Sequence, residues 1–215
     1  MPNKIDLHTH TLYSDGALAP CELVELAHLN GLQTISITDH DSMNALKEAT
    51  ECARDLGMDI ITGVEISTDL DDKEIHLLAY FIDEGNEELQ KYLSFFRDER
   101  LHRAKRMVKK LQNLGLKITL DDVLDYAKNS AVGRPHIAYA MTDLGIVKNY
   151  QEAFERYIGD YGPAFERKIH VSPQSALKLI NDSGGLSFIA HPGYMKEHLL
   201  MSLIKAGVDG IEVIH

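Results

Sequence analysis

The sequence has 215 residues, 33 acidic and 22 basic, for a formal charge of −11 with its 11 histidines neutral. That balance excludes a generally basic nucleic-acid coat, and 44% hydrophobic with 26% charged side chains describes an ordinary folded protein, not a disordered or fibrous one. One large domain, or one domain with an insertion, suffices for this length.

In chain order, short runs rich in Ile, Val, Leu and Thr at 4–8, 33–38, 59–66, 75–81, 186–190 and 209–214 predict strands. Helical patterns lie between them at 20–29, stopped by Asn30-Gly31, at 42–56, opened by Ser42 as a cap and stopped by Gly57, and at 172–181, opened by Ser172-Pro173. Alternating strands and helices predict a parallel sheet with right-handed crossovers. The rhythm breaks between about 86 and 170, where only helical patterns occur. Leu101, Ala104, Val108 and Leu111 share one helix face, Thr119 and Asp122 resemble a capping box, and 134–144 and 150–158 read as two more helices. This divides the chain into an α/β barrel domain, 1–85 with 171–215, and a helical insertion, 86–170.

Met-Pro-Asn-Lys runs straight into the first strand, with no apolar signal core, and the longest apolar runs are far below the roughly 20 residues that span a bilayer. Cys21 and Cys52 lie in amphipathic helices, as buried free thiols in a reducing compartment would. A cytoplasmic protein without membrane contact is the expectation.

The chemistry-bearing residues recur at one address. His8 and His10, two apart on the first strand, point to one face with roots roughly 7 Å apart, and can hold one divalent ion. Asp15 follows in the first loop, Thr38-Asp-His40-Asp41 ends the second strand, Gly63-Val-Glu65 lies on the third, His76 on the fourth, and Ala190-His191-Pro-Gly ends the fifth. Each alone is more often a cap, turn or packed residue. Together they offer the ligand types of Zn²⁺, Mn²⁺ or Fe²⁺ where α/β barrels build active sites.

D-L-H-T-H-T-x-x-S-D-G at 6–16, I-T-D-H-D at 37–41, G-V-E-I-S at 63–67, H-L-L-A-Y at 76–80 and A-H-P-G at 190–193 resemble, in order and spacing, the PHP family, the polymerase and histidinol phosphatase domain. The resemblance extends to its small bacterial phosphoesterases, whose helical insert is matched at Gly133-Arg-Pro-His136. It implies a distorted seven-stranded, TIM-like β/α barrel holding up to three divalent metals and hydrolysing phosphate esters through a metal-bound hydroxide. Carried over by residue, His8, His10 and Glu65 hold one metal, Glu65 bridges to a second on His76 and His191, and Asp15 and His40 hold a third. Asp39 and Asp41 are read as supporting or turn residues.

Read from sequence alone, Arg134 and His136 are better taken as a helix-capping arrangement with Pro135 at the first helical position; the resemblance instead implies a place at a substrate phosphate, whose oxygens guanidinium matches in shape and charge. The expected substrates are nucleoside 3′,5′-bisphosphates or the ends of short RNA, with histidinol phosphate next, and no protein partner is expected. The family's further Asp-x-His at a seventh strand is missing, so the third site is expected to be weak, with His215 the one candidate replacement. Two rival readings are an amidohydrolase-type C–N hydrolase, which usually bridges its metals with a carboxylated lysine, and a non-catalytic PHP module. Arg97, Arg100, Arg103, Lys105, Arg106, Lys109 and Lys110 read as a solvated basic helix face, or alternatively as a track for an oligonucleotide backbone.

Overall fold

A computed structural model describes residues 4–71, 73–128, 130–193 and 195–213. The chain forms two compact units, Met1–Leu93 with His170–His215, and Ser94–Ile169. Its strands are β1 (Lys4–Thr9), β2 (Leu32–Ile37), β3 (Asp59–Leu70), β4 (Lys73–Tyr80), β5 (Leu186–Ile189) and β6 (Gly210–Ile211). Its helices are α1 (Pro20–Leu29), α2 (Leu46–Leu56), α3 (Glu87–Asn113), α4 (Leu120–Ala127), α5 (Arg134–Asp143), α6 (Tyr150–Ala153), α7 (Pro173–Asp182) and α8 (Glu197–Ala206).

In the first unit the six strands lie side by side in sequence order. The β1 and β6 edges are joined by a side-chain bond from His8 to Glu212, so the sheet curls into part of a barrel. Among the described residues there are six strands, one at each strand-like run of the sequence and one fewer than the seven of the family's barrel, and the expected 209–214 strand is only Gly210–Ile211; Ile214 and His215 lie outside the described residues.

The expected all-parallel sheet is also corrected. β4 runs antiparallel to both β3 and β5, because β3 continues to Leu70 and turns at once, pairing Leu70 with Lys73. Asp71 takes the left-handed φ of 51° that such a tight turn needs. A parallel partner would have required a crossover of a dozen residues, and none is present.

Register then separates the two faces. Opposed pairs Glu65–Leu78 and Ser67–His76 put Glu65, Ser67, His76, Leu78 and Tyr80 on the inner face. Val64, Ile66, Ile75 and Leu77 point outward and pack with Val24, Leu46, Ile180, Ile189 and Leu203. Each buried side chain of this size contributes about 1.5–3 kcal/mol, so the outer face carries the stability and leaves the inner face open to polar groups. Gly63 is tied to this register: a Cβ there would meet Ser36 Oγ at 2.3 Å and Thr38 Cγ2 at 2.9 Å. Gly63→Ala is expected to cost about 1–3 kcal/mol in chemical denaturation, and an unchanged midpoint would show that β2 and β3 are not in close approach.

Two local expectations are revised. α2 starts at Leu46, not at Ser42; Asp41 has a left-handed φ of 50°, and the Ser42 hydroxyl accepts from the Asn44 amide within a turn. Cys21 and Cys52 are neither free nor fully buried: they form a disulfide between α1 and α2, with Cα atoms 5.6 Å apart, a normal bridging distance.

In the second unit all described regular structure is helical, around a core that includes Met107, Leu111, Val123, Ile137, Met141 and Ile158. The Thr119 capping box forms: its hydroxyl accepts from the Asp122 amide, and the Asp122 carboxylate accepts from the Thr119 amide at 2.7 Å. Past α6 the chain widens into a π turn, Phe154–Ile158, closed by the Gly159 amide on the Phe154 carbonyl. No helix among the described residues is long and apolar enough to cross a membrane.

Candidate metal centre

Glu65 is the hub of the inner face and is almost wholly buried, at 1% exposure. Its two oxygens face different groups. Oε2 lies 3.2 Å from His8 Nε2, 3.2 Å from His10 Nε2 and 3.3 Å from His40 Nδ1. Oε1 lies 2.8 Å from His76 Nδ1 and 3.0 Å from His191 Nε2.

Four elements and the sheet's mixed direction make this convergence possible. His8 lies on β1 and His10 just past it, His40 follows β2 and forms an isolated bridge with Glu65, and His191 follows β5. His76 is not at a C-terminal strand end as expected; it lies near the start of β4, which the antiparallel turn brings to the end where the parallel strands finish. Asp15 comes from the loop after β1, which folds back so that the Gly16 amide bonds the Thr11 carbonyl. A Cβ on Gly16 would sit 2.2 Å from the His10 carbonyl oxygen, so the turn can be this tight only with glycine. Asp15 lies 3.5 Å from His10 Nδ1 and 3.7 Å from His40 Nε2.

The donor atoms of His8, His10 and Glu65, of His10, Asp15 and His40, and of His40, Glu65 and His76 lie within 4.8 Å of one another in each group. His10 therefore joins Asp15 and His40, a third donor that the sequence reading had assigned elsewhere. Adjacent imidazole centroids are 4.8–5.1 Å apart. So many imidazoles around one carboxylate would repel one another if all were protonated, and this donor set suits divalent transition cations.

The outward nitrogens support the same fit. Glu212 Oε1 accepts from His8 Nδ1 at 2.9 Å, and Glu74 Oε1 accepts from His76 Nε2 at 2.8 Å. The Ser14 hydroxyl donates to Asp39 at 2.6 Å and so receives the His10 Nδ1 proton at 3.2 Å. Each arrangement leaves the inward nitrogen with a lone pair for a cation. Glu74 and Glu212 were missed in the sequence; their only signal was position, alternating with other inner-face residues on β4 and past β6.

Burial opposes charge on Glu65, His76 and His8, yet their hydrogen bonds prevail. Glu65 is held far below the ordinary carboxylate range by His10, His191, His76 and His8. Against its burial, Glu65 and Glu74 raise His76 to about 9, and Glu65 and Glu212 raise His8. Metal and protons therefore compete for these imidazoles.

Arg134 and His136 belong to the second unit. Arg134 pairs with Asp160 at 2.6 Å and lies over the rings of Phe154 and Phe165; His136 is buried, its Nδ1 accepting from the Gly133 amide at the start of α5. The basic stripe on α3 is not wholly solvated: Arg103 is buried and donates to the Glu166 carbonyl, and Arg106 and Lys110 pair with the Glu166 carboxylate. His102, His170 and His198 are exposed beside Glu99, Asp69 and Asp71.

A curled α/β sheet gathering histidines and carboxylates at one end defines a TIM-like, metal-dependent hydrolase. The sequence pattern of the PHP domain matches residues 6–170, and the chain belongs to the PHP domain family. It is 32% identical over 99% of its length to a 5′-3′ exoribonuclease from Haemophilus influenzae, covering 80% of that protein. It is 32% identical over 98% of its length to a 3′,5′-nucleoside bisphosphate phosphatase from Chromobacterium violaceum, covering 76%. A solved structure from Bifidobacterium adolescentis, assigned as a metal-dependent phosphoesterase, superposes with a TM-score of 0.89 at 32% identity, covering 99% of this chain and 77% of that one.

Proposed function

We propose that the protein hydrolyses a phosphate ester of a nucleotide, either a nucleoside 3′,5′-bisphosphate or the end of a short RNA, using up to three divalent ions (Mn, Zn or Fe). The observation that carries this is the split of Glu65, one oxygen toward His8, His10 and His40 and the other toward His76 and His191. A carboxylate so placed can ligate two cations and offset their repulsion, the role a carboxylated lysine plays in amidohydrolases. In this reading His8, His10 and Glu65 hold the first ion, Glu65, His76 and His191 the second, and Asp15 and His40, with His10 near, the third. When bound, the ions supply positive charge to phosphoryl and leaving oxygens and make water acidic enough to attack near neutral pH.

The chain's own residues set the geometry. Glu74 and Ser14 fix which nitrogens of His76 and His10 face inward, and Glu65, buried and anionic, holds the imidazoles together. Arg134 and His136 bind a phosphate of the substrate, a role supported by the match of guanidinium to phosphate and by the need for local cations in a protein of charge −11. Nucleotidic substrates suit the cytoplasmic location expected from sequence. The helical segment 86–170 is read as an insertion in the barrel domain.

Release of inorganic phosphate from a nucleoside 3′,5′-bisphosphate and from histidinol phosphate, and of mononucleotide or inorganic phosphate from a 5′-phosphorylated short RNA, with and without a chelator, tests the proposal. No turnover of any of the three by Mn²⁺-loaded protein would sink it. Arg134→Ala is expected to lower kcat/KM by about 1.5–3 kcal/mol with metal content unchanged. Lost metal, or unchanged kinetics on all three substrates, would make the residue purely structural. Asp15→Ala should release the most weakly held ion and keep the other two, because Asp15 touches only the outer group and is the most exposed of its members; elemental analysis showing all ions lost together would contradict that ranking.

A further inference from the structure

Glu212 was not among the expected site residues, yet it reaches the centre twice. β6 pairs in parallel with β5, Phe188 beside Gly210 and Ile189 beside Ile211, and the Glu212 amide extends the ladder by donating to the Ile189 carbonyl at 2.9 Å. A Cβ on Gly210 would meet the Phe188 ring at 2.3 Å, so Gly210 faces inward with Phe188; Glu212, two residues on, faces the same way. Its carboxylate is nearly buried, at 10% exposure. Oε1 accepts the His8 Nδ1 proton at 2.9 Å, and Oε2 accepts the His191 backbone N–H at 2.5 Å. His191 has a φ of 30°, a conformation that non-glycine residues rarely adopt and that surrounding bonds must hold.

We propose that Glu212 is a positioning residue for the metal centre, one carboxylate setting the His8 tautomer and the backbone of His191 together. This rests on the metal-centre reading above. His8 belongs to the group on Glu65 Oε2 and His191 to the group on Oε1, so Glu212 couples the two ion sites from behind, as Glu65 does from within. No direct contact with a cation is required. Removing the carboxylate frees the His8 ring to expose either nitrogen and removes a support of the His191 backbone. Glutamine keeps one acceptor oxygen but turns an amide NH₂ toward one of the two N–H donors, so it should preserve half the arrangement.

The test is Mn²⁺ binding by titration calorimetry, with thermal melting of the metal-free protein, for the parent, Glu212→Gln, Glu212→Ala and Tyr80→Phe. The last removes another inner-face bond to β1, from the Tyr80 hydroxyl to the Leu7 carbonyl at 2.8 Å, without touching an imidazole. Mn²⁺ affinity is expected to fall about 10–100-fold in Glu212→Ala and by less in Glu212→Gln, while Tyr80→Phe melts lower and binds as the parent does. If Glu212→Ala does not fold, Glu212→Gln carries the test. Parent-like affinity in the Glu212 variants, or an equal loss in Tyr80→Phe, overturns the positioning role. A parent that binds no Mn²⁺ instead refutes the metal-centre reading itself.

Discussion

Glu65→Gln is expected to empty the centre of more metal than any single histidine substitution, and to lower kcat/KM on a phosphate ester on the order of a thousandfold. The amide keeps the size and burial of the side chain but loses its charge, and its NH₂ must face either His8, His10 and His40 or His76 and His191. Whichever way it turns, one group of imidazoles meets a donor where it had an acceptor, so one ion loses a ligand outright and the other loses a charged one. Metal ions supply several kcal/mol of charge stabilisation in such reactions, and about 4 kcal/mol corresponds to a thousandfold in rate. A histidine such as His40 removes one donor and leaves the carboxylate in place. Elemental analysis after gentle purification, with kinetics on the same samples, decides the matter; equal metal loss for Glu65→Gln and His40→Ala would end the bridging assignment.

How far this centre could be read from the sequence depended on the range of each signal. His8 and His10 were legible because a two-residue spacing on a strand fixes a shared face. Glu65 and His76 were legible as residue types on strands, but not their direction. The turn at Asp71 lies in a run of polar residues that looked like a loop between two separate strands, and only the Leu70–Lys73 pairing turns it into a hairpin. The distant partners were invisible for a different reason. Glu212 meets His8 across 204 positions, and nothing in Gly-Ile-Glu-Val marks the glutamate as inward until the register with β5 is known. Cys21 and Cys52 were judged from their number and setting, whereas their bond depends on α1 and α2 packing side by side. Arg134 and His136 were legible as residue types suited to phosphate, but their partners were not: Arg134 pairs with Asp160, 26 positions on, and His136 accepts from the Gly133 amide at the start of α5.

Asp39→Ala is expected to cost about 3–5 kcal/mol of stability and to weaken metal binding as well. The Asp39 carboxylate is fully buried and accepts three bonds, from the Thr11 amide at 2.7 Å, the Thr11 hydroxyl at 2.6 Å and the Ser14 hydroxyl at 2.6 Å. Removing it strands three buried donors, each costing about 1–3 kcal/mol when unsatisfied. For a chain of this length the melting temperature should fall by about 10 °C. Burial raises the Asp39 carboxyl above its ordinary range even against the bonds from Ser14 and Thr11, and an amide oxygen in its place still accepts from some of the same donors. Asp39→Asn should accordingly recover part of the loss. The metal effect runs through Ser14, whose hydroxyl joins Asp39 to His10 Nδ1. Ser14→Ala therefore separates the two roles: it breaks the link to His10 and strands no donor on Thr11, so metal affinity should fall while the melting temperature moves by only a few degrees. Should Ser14→Ala bind metal as the parent does while Asp39→Ala loses it, Asp39 would support the fold of the first loop and have no part in orienting His10.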